Sequence, residues 1–178
     1  AYTATLKDVP SIDEAQSGEL LVEKIAALNP DLVVGDDWAD PAKQRVPYDK
    51  LSKIAPTALF AWEQAAGNWP ALATQTADAV NKTAELAVLK AKYAARASSI
   101  KTSDADLFAR TRWDIIDCGQ DSGDLYSKAS SHGHVRTEAG VPLNAGKTQT
   151  SGYQQYSLER FDLLKSTDVI VTTTASLP

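Results

Sequence analysis

Two stretches near opposite ends of this chain share one pattern, and that pattern constrains the fold more than any other feature. The first runs from Leu21 to Gly35 and the second from Tyr156 to Val171. Each reads as a short amphipathic helix with a glutamate near its start (Glu23, Glu159), a tight turn with an aspartate (Asp31, Asp168), and a β-branched run. Two such helix–turn–strand units, far apart in one chain, imply two similar α/β lobes. That plan suits a protein that closes around a ligand better than one compact enzyme core.

The rest of the chain alternates helix and strand in the same style. Leu21, Ile25 and Leu28 form one apolar face, which predicts a helix over 19–28 stopped by Asn29-Pro30. Leu32 to Val34 is a short apolar strand, followed by a polar loop that contains Trp38. A helix over 48–54 and a strand over 57–60 come next, with Trp62 just beyond. Leu86, Leu89, Tyr93, Ala97 and Ile100 step by three and four, which predicts one helix over 71–101, about 45 Å long. Strands are expected at 113–117, 125–128 and 169–173, and helices at 134–139, closed by Gly140, and at 158–164, capped by Ser157. The expected fold class is α/β: two lobes with mainly parallel sheets, 1–70 and 102–178, joined by a single long helix over 71–101.

Composition removes several function classes. The 178 residues carry a net charge of −5, against the basic excess that phosphate backbones demand, so no nucleic-acid partner is expected. No apolar run approaches the ~20 residues of a membrane span. The single cysteine, Cys118, excludes an internal disulfide framework. There is no methionine, so Ala1 is not a translation start, and removal of an export signal is compatible with the sequence.

In open α/β sheets, ligands bind on the loops that leave the carboxyl ends of strands. That rule points to Trp38 and Trp62 after the first two strands, and to loop 118–124 and Ser130, Ser131 and His132 after the next two. Tyr153 and Tyr156, before the second repeat helix, join this set. Aromatic faces and hydroxyls suit a bulky chelate with an organic shell and exposed oxygens. Arg136 is a cationic candidate for the same ligand. His132 and His134 alone do not make a metal site, which needs three or four converging ligands. No Gly-x-Ser-x-Gly elbow or Gly-x-Gly-x-x-Gly turn is present, and the Gly-Lys-Thr at 146–148 lacks the rest of a phosphate loop. No catalytic residue, cofactor or metal ligand is assigned.

Residues 23–34, residues 48–57, and Ser157-Leu158-Glu159 leading into Thr167-Asp168-Val169-Ile170 occur in an order and spacing that resembles a known family. These are the helical-backbone substrate-binding proteins of iron-siderophore and cobalamin ABC importers, and the resemblance covers nearly the whole chain. It implies a non-enzymatic protein holding a ferric siderophore or related chelate in a cleft between two lobes. By resemblance, Trp38 and Tyr153 fall where hydroxamate-siderophore binders place aromatic contacts, and Arg136 lies on a helix facing the cleft. It further implies that Glu23 and Glu159 meet arginines of a membrane permease. The protein is then expected to be exported, in the periplasm or at the cell surface of a bacterium, and held at the membrane by the permease or by a lipid anchor absent from this chain. Against the family's length, segments are expected beyond both ends. A cobalamin or haem binder on the same scaffold and a small α/β enzyme are the alternatives.

Overall fold

A computed structural model of the chain describes residues 9–10, 12, 22–38, 45–62, 69–119, 121–144 and 152–172. It divides into two units, Ala1–Trp62 and Glu63–Pro178.

In the first unit, α1 (Val22–Ala27) leads to β1 (Val33–Trp38), and α2 (Tyr48–Leu51) leads to β2 (Thr57–Trp62). Asn29 ends α1 by taking a left-handed conformation, φ 46°, with its N–H bonded to the Ala26 carbonyl at 3.1 Å. Pro30 has no N–H to continue the ladder. β1 and β2 pair in parallel from Val33↔Thr57 to Trp38↔Trp62. Both strands run further than the expected 32–34 and 57–60. β1 extends through Asp36 and Asp37 because the register with β2 continues, and the Asp37 carboxylate accepts the backbone N–H groups of Arg45 (3.0 Å) and Val46 (2.9 Å). Trp38 therefore closes a strand instead of sitting in a loop. Among the described residues, Ile25, Leu51 and Ala55 are the buried apolar residues of this unit.

The second unit opens with two helices where one was expected: α3 (Trp69–Ala79) and α4 (Thr83–Ser103). The break is a Schellman cap. Asn81 takes φ 54°, its N–H reaches Asp78 O at 3.0 Å, and Lys82 N–H reaches Ala77 O at 2.6 Å. The 21 residues of α4 span about 31 Å, shorter than the predicted helix. A further short helix, α5 (Ala105–Arg110), follows Asp104, where the sequence pattern predicted none.

The sheet of this unit has the order β5-β4-β3-β6. Its strands are β3 (Trp113–Cys118), β4 (Ser122–Tyr126), β5 (Tyr153–Ser157) and β6 (Val169–Thr172). β3 and β6 are parallel, as expected, but β4 is antiparallel to both β3 and β5. The fold is mixed α/β with parallel pairing in each sheet. Helix α6 (Ser131–Glu138) follows β4, packs on α4, and ends in a second Schellman cap: Gly140 at φ 83°, with Val141 N–H bonded to Arg136 O at 2.9 Å.

The second repeat departs most from expectation. β5 carries Tyr153 and Tyr156 and runs through Ser157, because Ser157 pairs with Ser122. The expected helix over 158–164 is reduced to a 3-10 turn, Phe161–Leu164. Arg160 and Asp162 form an ion pair at 2.7 Å across its start. Glu159 thus lies in the turn after β5, whereas Glu23 lies in the first turn of α1.

Candidate functional site

The direction of β4 rearranges the sequence-based candidates. Because β4 runs against β3, the hairpin over 118–122 lies at the carboxyl end of β3, while Tyr126 and the turn after it lie at the opposite end of the sheet. The rule for parallel sheets does not carry across such a hairpin. Loop 118–124 and the Ser130–His132 segment consequently face different ends.

At the Tyr126 end the structure builds a defined platform. Tyr126 and Tyr153 are cross-strand partners, with ring centroids 6.3 Å apart. The His132 ring meets Tyr126 edge to face at 4.9 Å, an arrangement the ring quadrupoles favour. Tyr153 is 47% exposed, His132 is exposed, and Ser131 is half-buried, so the platform keeps a solvent-facing rim. Beneath it the chain is pinned by hydrogen bonds. Ser127 N–H donates to Gly152 O at 2.9 Å, and Ala129 N–H donates to Ser127 Oγ at 3.0 Å. Ser130 Oγ donates to Ser127 O at 2.7 Å and accepts from Gly133 N–H at 2.9 Å. Ser130 is the N-cap of α6 and only 1% exposed. Its hydroxyl orders the platform from below, while Ser131 is the serine at the rim.

Tyr153 and Tyr156 do not come together. Three residues apart on β5, they lie on opposite faces of the sheet. Tyr156 is buried with Ile116 and Leu125, and Leu163 and Leu164 pack against that cluster. Its ring covers Gly123, and its hydroxyl lies 3.8 Å from Cys118 Sγ. Burial first, and then the bond to Cys118, push the Tyr156 hydroxyl up to about 12, so it stays neutral.

Arg136 stands five residues beyond Ser131, about 140° around α6, on a different face from it. It is half-buried, its Nη1 is buried with no hydrogen-bond partner, and burial lowers its pKa. On the face of the sheet that carries Tyr126 and Tyr153, burial raises the Asp124 carboxyl and the nearby Asp117 adds to the effect. Among the described residues, no group of three or more His, Cys, Asp or Glu is placed to hold a metal ion.

In the first unit, Trp38 and Trp62 are register partners at the carboxyl ends of β1 and β2. The parallel pairing brings these two positions side by side, where the sequence showed only two separate tryptophans. Tyr126 is the platform residue that sequence reasoning missed. Its signal was present in the Tyr126…His132 spacing, but recognising it required knowing that β4 pairs with β5.

The fold and the sequence both match known proteins. Residues 4–175 match the family model described as "Periplasmic binding protein". A curated relative, the probable siderophore-binding lipoprotein YfiY of Bacillus subtilis (strain 168), is 40% identical over 90 residues, which is 51% of this chain and 26% of the relative. The siderophore periplasmic binding protein from the fuscachelin gene cluster of Thermobifida fusca superposes with a TM-score of 0.76 at 22% identity, over 95% of this chain and 62% of that one. Staphylococcus aureus SirA superposes with a TM-score of 0.75 at 18% identity, over 99% of this chain and 64% of that one. The chain thus spans about a quarter of the curated relative and less than two thirds of these solved structures. Among the described residues no helix is long and apolar enough to cross a membrane. With nearly its whole length matched, the chain belongs to the periplasmic binding protein family, whose members are substrate-binding proteins and not enzymes.

Proposed function

We propose that this protein captures a ferric siderophore or similar iron chelate and delivers it to the permease of an ABC importer. The observation that carries this reading is the platform of Tyr126, His132 and Tyr153 at the α6 N-terminus. It is an exposed aromatic surface on a rigidly hydrogen-bonded base, which lowers the ordering cost of binding a bulky ligand. Two relatives, one sharing its sequence and one its fold, are siderophore-binding proteins by name. In this reading Tyr153 and Ser131 touch the chelate, Ser130 holds the platform, and Tyr156 supports the sheet from behind. Trp38 and Trp62 supply the ligand contacts of the first unit, and Arg136 contributes positive charge. The protein works outside the cytoplasmic membrane, in the periplasm or at the cell surface, tethered by a lipid anchor or recruited by the permease.

Removing the Tyr153 ring tests the ligand contact. Tyr153→Ala is expected to weaken ferric-chelate binding by about tenfold, the worth of one stacked ring, without changing stability much, because that ring is half exposed. Unchanged affinity would remove the platform from the site.

Glu23 and Glu159 are both exposed, and we assign them to the permease. Exposed carboxylates that meet arginines set orientation and association rate more than intrinsic affinity. With the chain and its permease reconstituted in vesicles, Glu23→Lys with Glu159→Lys should slow uptake by about tenfold. Chelate affinity should not change. Wild-type uptake by the double variant would contradict the assignment.

A further inference from the structure

One face of α4 lines a pocket that the proposed chelate site does not use. Lys90, Tyr93, Ala94, Ala97, Ser98 and Lys101 recur at spacings of three and four, so they form one stripe along the helix. Trp69 and Pro70 at the start of α3 close one side of the pocket, and Glu138 at the end of α6 closes another. The volume is about 490 Å³, within the range of small-molecule sites. Ser131 and Glu138 mark opposite ends of α6, about 10 Å apart along its axis, so this pocket and the aromatic platform are separate places in the second unit.

The lining is specific in three respects. The floor is small and apolar, with Ala94 and Ala97 between the longer side chains, which leaves room for a flat group. The wall is aromatic and fixed. Trp69 and Tyr93 meet edge to face at 5.5 Å, and Tyr93 Oη donates to Glu138 Oε2. Burial, and then the bond to Glu138, push the Tyr93 hydroxyl up to about 12, so it remains a donor and keeps that carboxylate occupied. The charge balance is positive, since two lysines face one glutamate in a chain whose net charge is −5. Lys90 Nζ is bonded to Thr74 Oγ1 at 2.8 Å, whereas the Lys101 ammonium has no ion-pair partner among the described residues. Trp69 Nε1 is buried with no acceptor.

We propose that this pocket is a second binding site, for a small flat aromatic monoanion of the aryl carboxylate type. The ring lies over Ala94 and Ala97 against Trp69 and Tyr93, and the carboxylate lies toward Lys101. A neutral ring forgoes the ammonium, and an aliphatic acid forgoes the aromatic wall.

The test is calorimetric titration of the full 178-residue chain with 2-naphthoate and with its neutral analogue 2-naphthamide. The naphthoate is expected to bind saturably, and the amide about tenfold more weakly. Ala97→Phe fills the floor and should abolish binding. Ala97 is buried, so that variant carries a folding risk, but Lys101 is exposed. Lys101→Glu should fold normally, by circular dichroism, and weaken the naphthoate by at least about tenfold while leaving the amide unchanged. Absence of saturable naphthoate binding overturns the proposal. So does binding that neither variant alters, which would place the probe elsewhere, or self-association through this face that Lys101→Glu abolishes while naphthoate binding persists.

Discussion

Gly133→Ala is expected to destabilise the second unit by about 3 kcal/mol or more, measured by urea denaturation. Gly133 is buried in the first turn of α6, where the helix presses on the turn that leaves β4. A Cβ at this position would clash with the Ser127 carbonyl oxygen and would lie 2.6 Å from Lys128 Cα and 2.8 Å from Lys128 C. These are backbone atoms, so no side-chain rotation relieves the overlap. The helix start has to move away from the turn, which also breaks the Gly133 N–H bond to Ser130 Oγ. Because that bond orders the ground under Ser131 and His132, ligand binding should fall with stability. Gly35→Ala serves as a contrast. Its Cβ would meet only Leu59 Cδ2 at 3.5 Å, an ordinary contact, and the change should stay within about 0.5 kcal/mol. Equal stability of Gly133→Ala and wild type would mean that α6 does not rest on the turn.

Asp114→Ala should cost about 2–4 kcal/mol by the same assay, since it removes a charged acceptor from a buried network. Asp114 is only 3% exposed, and its Oδ2 accepts from Thr167 Oγ1 and, at 3.4 Å, from Asn144 Nδ2. Asn144 also donates to Ser166 Oγ at 2.8 Å, and its own N–H donates to Trp113 O at 3.0 Å. Next to this network, Asp168 Oδ2 accepts from Arg112 N–H at 2.7 Å, and Arg112 O accepts from Val169 N–H at 3.0 Å. Together these bonds clasp the start of β3 to the start of β6. Alanine would leave Thr167 and Asn144 without that acceptor in a half-buried place. A loss below about 1 kcal/mol would show that water replaces the carboxylate freely.

Where local chemistry alone decides the structure, the sequence was readable. Asn29-Pro30 stops α1, and Gly140 ends α6, because left-handed caps have residue signatures that need no tertiary partner. The short runs of β-branched and other apolar residues at Val33, Thr57, Trp113 and Val169 marked four strands, since such residues fit a pleated surface. The cap at Asn81 was hidden. Neither glycine nor proline interrupts Ala79-Val80-Asn81-Lys82, and the periodicity resumes in phase close enough to read as one helix. β5 was hidden for a different reason. Of its five residues only Tyr156 is buried, so there is no apolar alternation to recognise, and the strand exists because β4 offers it a ladder. The candidate site inherits that limit. Tyr153 and Ser131 stood out as residue types, but their grouping with Tyr126 and His132, and the separation of Tyr156 to the other face, depend on an antiparallel pairing. Ser130 drew attention as a loop hydroxyl and proves to be a fully bonded helix cap.

The central claim, capture of an iron chelate, is tested most directly by tryptophan-fluorescence titration of the folded chain. The panel comprises a ferric hydroxamate, a ferric catecholate, ferric citrate, cobalamin and haem, with inner-filter controls and Trp38→Phe as reference. The expected result is saturable quenching by one of the ferric chelates at micromolar concentration or below, diminished in Trp38→Phe. Saturation by cobalamin or haem alone, or no saturable change across the panel in protein shown to be folded, would contradict it.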